Sequence, residues 1–185
     1  MYIYNNSAST VNFNSVTGRS GSQSATGTAN FGVESAMGLG IEVKNFGRHA
    51  WGYNFGIAID STRKVNSGTA SFNGVTAYVY YMDPKPTLSV TTTYLEGIYT
   101  WEKIYVPVGL NFSAAELKLN DNSMYTTYGG VGFQTGIGGE INDHMSVEFL
   151  VKTISFDFQR TNGTYYYNYG TGNLTGAQIS LKYNF

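Results

Sequence analysis

The chain has 185 residues, a net charge of −1, no cysteine and only 12% charged residues, about half the share found in ordinary soluble domains. The length suits one domain spanning 1–185. The missing cysteine excludes a disulfide framework or thiolate chemistry, and near-neutral charge argues against nucleic acid as a partner. No stretch is long and apolar enough for a transmembrane helix, yet 23 glycines, 16 tyrosines and 11 phenylalanines suit a β-wall with lipid outside and polar groups inside.

Met1 is followed at once by Tyr-Ile-Tyr-Asn-Asn, without a basic or apolar export region. The expectation is a mature or trimmed form of an exported protein. The first strand, about 2–14, alternates poorly: Ile3, Val11 and Phe13 share a parity, and Asn and Ser fill much of the rest. A polar stretch over 15–28 reads as a solvated loop. Met37, Leu39, Ile41 and Val43 then alternate in a strand over 29–44. The short connection Lys44–His49 leads to Trp51, Tyr53, Phe55, Ile57 and Ile59 in a strand over 51–64. A long polar segment, 65–86, follows. Within it Val75 to Met82 is itself strand-like, as an outer hairpin or as a sign of ten strands.

Further strands are expected over 86–100, 104–118, 124–141, 145–158 and 174–185, with turns at Thr100–Lys103 and Asn142-Asp143-His144. Polar loops are expected at 116–124 and 159–173. Pro107 suits a bulge near the short turn, because a closed sheet has no free edge for it. The last run puts Ala177, Ile179, Leu181, Tyr183 and Phe185 on one face and Gln178, Ser180, Lys182 and Asn184 on the other. Three short turns alternating with four long loops predict an all-β fold: a closed antiparallel transmembrane β-barrel of eight strands, with ten as the alternative. Its short turns would be periplasmic and its long loops outer.

The apolar rows should face lipid. Phe46, Trp51, Tyr53, Tyr99, Trp101, Tyr183 and Phe185 would form an aromatic belt near the short turns. The opposite rows carry Glu42, Lys44, Asp60, Glu96, Glu140, Glu148, Lys152 and Lys182. Facing inward, these would form a polar network in a lumen just wide enough for side chains to fill. Five acids against three lysines make that lumen acid-rich. The expected result is a hydrogen-bonded, ion-paired plug, with a conducting path as the alternative.

No catalytic, cofactor or metal site is legible. His49 and His144 both fall in short turns, Ser146 is the only serine beside either, and Asp143-His144 is a common turn. The glycine runs Gly129–Gly132 and Gly136–Gly139 lie on a strand, so they are not phosphate loops. Tyr165, Tyr166, Tyr167 and Tyr169, among Asn and Gly at an outer tip, suit either a paratope-like contact surface or packing on the rim.

Taken together, the chain resembles the small eight-stranded outer-membrane barrels of the OmpA membrane-domain and OmpX type. The likeness is carried by Tyr94-Leu95-Glu96, by Tyr105-Val106-Pro107-Val108-Gly109, by Tyr128–Gly132 with its following turn, and by Ser180–Phe185. The resemblance implies a terminus, Tyr183 and Phe185, read by the barrel-insertion machinery, and an ion-pair network filling the lumen. Its partners would be the bilayer with lipopolysaccharide and an external surface partner. The expected role is a non-enzymatic surface anchor whose outer loops adhere or bind. The alternatives are a small-solute or cation channel and a lipid-modifying enzyme.

Overall fold

The computed structural model describes residues 1–20, 22–45, 50–80, 83–118, 124–126, 128–162 and 165–184. They form one antiparallel sheet of thirteen strands. In chain order these are β1 (Tyr2–Asn6), β2 (Ser9–Ser20), β3 (Gln23–Val33), β4 (Ala36–Asn45), β5 (Trp51–Asp60), β6 (Arg63–Phe72) and β7 (Val75–Val79). Then follow β8 (Thr87–Trp101), β9 (Ile104–Lys118), β10 (Met124–Thr126), β11 (Tyr128–Asn142), β12 (Met145–Asn162) and β13 (Tyr165–Tyr183).

The pairing closes on itself. β1 bonds to β4, and the ladder continues through β5, β8, β9, β11, β12 and β13 back to β1. A second tier runs from β13 through β2, β3 and β6 to β8. Here β2, β3 and β6 continue β1, β4 and β5 beyond three breaks, at residues 7–8, 34–35 and 61–62. The breaks lie side by side and remain bonded to their neighbours: Ser7 N–H donates to Ala177 O (2.8 Å), Glu34 N–H to Lys64 O (3.1 Å) and Ser61 N–H to Met37 O (2.7 Å).

Each break spans two residues, and across it the parity that faces inward reverses; from Asn6–Gln178 to Thr10–Thr175 the first chain gains one residue on its partner. Ile3 is exposed, but Val11 and Phe13, of the same parity, are buried. Likewise Met37 and Leu39 point out while Phe31 and Val33 point in, and Ile59 points out while Arg63 points in. The shared parity of Ile3, Val11 and Phe13 therefore does not mean a shared face. A one-step register change swaps every side chain to the other side of a strand.

The expected polar loops are largely strand. Residues 15–20 and 23–28 belong to β2 and β3, most of 159–173 to β12 and β13, and 116–124 contains the end of β9 and the start of β10. Residues 65–86 contain β6 and β7, which form a hairpin of their own. Tyr165, Tyr166 and Tyr167 are strand residues of β13, paired with both β12 and β2, rather than a loop tip. Tyr169 lies in the same strand; the side chains of all four fall outside the described part. Pro107 sits in β9 without a bulge. The β9–β11 ladder simply skips Val106 and Pro107, and the Thr135 hydroxyl donates to Pro107 O at 3.1 Å.

At the short-turn end, Glu102 takes a positive φ of 53° in the β8–β9 turn. His144 N–H donates to Asn142 Oδ1 (2.9 Å) in the β11–β12 turn, the local bond that makes Asn a turn former. The connection through Phe46 and His49 lies outside the described residues, as does Phe185.

Candidate functional site: the ring interior and its outer face

Below the three breaks the interior is polar. Glu42 on β4, its side chain only 5% exposed, accepts from Lys182 (2.9 Å), from Asn54 (3.0 Å) and from the Tyr94 hydroxyl (2.8 Å), and pairs with Lys44 at 3.0 Å. Lys182 also pairs with Glu148 at 2.5 Å. Glu96 accepts amide protons from Asn54 (2.7 Å) and Gln134 (2.6 Å). Higher up, Asp60 is ion-paired with Arg63 and accepts from the Tyr4 hydroxyl (2.6 Å) and Asn6 (2.9 Å). Lys152 lies between these two groups, 5.4 Å from the Tyr4 ring centroid. A fixed, hydrogen-bonded set of charges can persist inside a wall because each charge has oppositely charged or dipolar company.

Seven of the eight residues expected in the network lie in this interior. Glu140 does not; it lines a mouth cavity of about 460 Å³ at the short-turn end, with Glu42, Lys44 and Asp143. Sequence reasoning missed Arg63, which is only 2% exposed. The parity reversal at 61–62 hid it. With Arg63 included, the described interior holds four acids (Glu42, Asp60, Glu96, Glu148) and four bases (Lys44, Arg63, Lys152, Lys182). Among the described residues this interior is charge-balanced, with Glu140 a further acid at its mouth.

Four tyrosines were also missed as interior residues. Tyr2, Tyr4, Tyr94 and Tyr105 are buried, and each faces a glycine as its direct cross-strand partner: Gly40, Gly38, Gly56 and Gly138. A Cβ at any of those glycines would collide with the partner's ring. The inward glycines thus make room for rings that lie flat across the neighbouring strand, an arrangement that pins register. Alternation of Gly with Tyr on adjacent strands was the available signal.

Above the breaks the interior is apolar. Val11, Phe13, Val16, Ala29, Phe31, Val33, Val65, Leu88, Val90, Ile154, Phe156 and Leu174 pack as one buried cluster. The outer face changes in the opposite sense. On β12, Val147, Phe149 and Val151 point out and give way to Thr153, Ser155 and Asp157. On β13 the outward order from the short-turn end is Tyr183, Leu181, Ile179, then Thr175, Asn173 and Thr171. On β8 it is Trp101, Tyr99 and Leu95, then Thr93, Thr91 and Ser89. On these three strands inside and outside exchange character along the wall.

At the short-turn end the exposed Trp51 packs edge-on against Tyr99, its cross-strand partner, with centroids 5.1 Å apart. Tyr53, Trp101 and Tyr183 are exposed at the same end. Tyr183 stacks on His144 at 6.1 Å. Ser146, by contrast, is buried in the interior, so His144 and Ser146 are not assembled for nucleophilic chemistry.

No protein-family model matches the chain, and no curated protein matches it. Among solved structures it is similar to OprG, an outer membrane protein from Pseudomonas aeruginosa, at 11% identity over 97% of this chain and 94% of that one, with a TM-score of 0.47. It is also similar to Neisserial surface protein A, at 11% identity over 98% and 96%, with a TM-score of 0.37. A third is Ail, the attachment invasion locus protein of Yersinia pestis, solved with the heparin analogue sucrose octasulfate. It matches at 6% identity over 97% and 98%, with a TM-score of 0.36.

Proposed function

We propose that the chain is an integral β-barrel of the bacterial outer membrane, built as eight staves, and that it acts as a non-enzymatic anchor for a rigid outer rim. The observation that carries this reading is the exchange of polar and apolar character along β8, β12 and β13. A polar interior behind an apolar outer face is the arrangement that lipid demands. An apolar interior behind a Thr/Ser/Asn face is the arrangement that water demands. The two halves therefore occupy two solvents, and the breaks at 7–8, 34–35 and 61–62 mark the outer membrane surface.

Closure supports the same reading, because a spanning sheet with a free edge leaves backbone groups unpaired in hydrocarbon. The ring pairing leaves no such edge in the lower tier. Joining β1 to β2, β4 to β3, β5 to β6 and β10 to β11 turns the ladder into eight staves, each long enough to cross the apolar layer and project beyond it. The partners of the outer face are lipid and lipopolysaccharide. Tyr183, with Phe185 beyond it, is the segment read during insertion.

The lumen is a plug in this reading. Two interior voids near Lys152 have about 10 Å³ each, room for a single water apiece, and the apolar cluster closes the path above them. Folded protein in planar bilayers is expected to give no conductance steps. The change Glu96→Ala, which strips Gln134 of its acceptor and leaves Asn54 only its bond to Glu42, should lower stability without opening a path. A second reading, a cation-preferring channel, draws on the acid-lined mouth cavity. Reproducible cation-selective steps altered by Glu96→Ala would establish it and remove the plug.

A further inference from the structure

Beside the first break, Arg63, Lys152 and Ser9 line one small interior cavity, closed on its apolar side by Ile154 and Leu174. Gly176 forms part of its wall and is the direct cross-strand partner of Lys152. At Gly38, Gly40, Gly56 and Gly138 a tyrosine ring covers the glycine. Over Gly176 the neighbours are the Ser7 and Ser9 hydroxyls, 3.6 and 3.8 Å from where a Cβ would stand.

Donors outnumber acceptors around this space. Arg63 Nε and Ser9 Oγ are both buried without a hydrogen-bond partner. Lys152, 5% exposed, makes no ion pair among the described residues. Ser7 Oγ accepts from Ala177 N–H (3.1 Å) and keeps its own proton to give. Asp60 is engaged at both oxygens, Oδ1 by Tyr4 and Asn6 and Oδ2 by Arg63. Glu148, which lines the second void with Lys152, is held by Lys182 at 2.5 Å.

We propose that this cavity is a site for one halide ion of chloride size, held by Arg63 Nε, the Lys152 ammonium and the Ser9 hydroxyl. A water placed there accepts two of these protons and is left with two of its own to place. An anion accepts from every donor and offsets the cation that Asp60 leaves uncompensated. The space, about 10 Å³, takes a single body near the size of a water, which excludes sulfate, phosphate and carboxylates. The inference goes beyond the anchor reading and requires only the closed ring.

The test uses the whole chain refolded in lipid vesicles, with folded protein scored by heat-dependent gel mobility at the urea midpoint. Exchanging sodium gluconate for sodium chloride or bromide at equal ionic strength is expected to raise the folded-to-unfolded ratio about tenfold, the shift given by halide at about ten times its dissociation constant. Gly176→Ala places a methyl in the cavity at ordinary contact distance, 3.5 Å from Ser9 Cβ, and should abolish the response. Lys152→Met, which removes a donor and the uncompensated charge, should abolish it too; if that variant refolds poorly, Gly176→Ala still decides. Crystals of the parent grown in bromide should show an anomalous peak between Arg63 Nε, Lys152 Nζ and Ser9 Oγ. An equal ratio in all three salts would overturn the proposal, as would a response retained in Gly176→Ala or an ordinary water at that position in the bromide crystal.

Discussion

Replacing Lys182 by methionine should lower the unfolding free energy by about 3–5 kcal/mol, the cost of leaving a buried partner charge uncompensated. Lys182 bridges Glu42 and Glu148 at 2.9 and 2.5 Å, and its ammonium lies 5.1 Å from the Tyr2 ring centroid. Without it Glu42 keeps Lys44, at 3.0 Å, but Glu148 loses the cation beside it. The expected readout is a lower urea midpoint for the folded gel band in lipid vesicles. Replacing Lys182 and Glu148 together by uncharged residues of similar size should cost much less than Lys182→Met alone, because the pair and its desolvation penalty then leave together while Glu42 keeps Lys44. Leu181→Met, one residue away on the lipid face, should be nearly neutral. A Lys182→Met protein as stable as the parent would mean that the interior is hydrated enough to screen the charges.

How far the sequence discloses this molecule depends on where along the wall one looks. Between the short turns and the breaks, period-two alternation is clean because lipid and lumen are opposite solvents. Rows such as Met37–Val43 and Trp51–Ile59 name both faces at once. Above the breaks both signals weaken. The outer face becomes Thr, Ser and Asn, the inner face small or aliphatic, and the segments resemble loops by composition although they pair as strands. The three breaks each shift the register by one step and so reverse the parity, which is why Arg63 and Phe13 could not be placed by counting from their neighbours. The inward tyrosines were concealed differently. Tyrosine suits a membrane belt as readily as a lumen, and only the cross-strand glycines distinguish Tyr2 and Tyr4 from Tyr183.

Phe149→Arg should destabilise the folded protein by about 2–4 kcal/mol, the cost of a guanidinium near mid-depth of a lipid-facing barrel surface. Phe149 points outward on β12, between Val147 and Val151. Ser155→Arg lies on the same face of the same strand, three outward positions further from the turn, and should stay within about 0.5 kcal/mol of the parent, as surface changes do. Lys64, already exposed beyond the break in its own chain segment, shows that outward charge is accepted at that level. Equal penalties at both positions would indicate one solvent along the whole outer face. Vesicle-refolding yields measured over a urea series decide between these outcomes.

The exchange of character along the wall is tested most directly by an accessibility scan of β12. The chain has no cysteine, so single cysteines at Val147, Phe149, Val151, Thr153, Ser155 and Asp157 can each carry a nitroxide in lipid vesicles. The account predicts that dissolved oxygen relaxes the labels at 147, 149 and 151 more strongly than a water-soluble nickel chelate, and that the order reverses at 155 and 157. A profile in which the chelate reaches all six labels equally would contradict a membrane-spanning barrel.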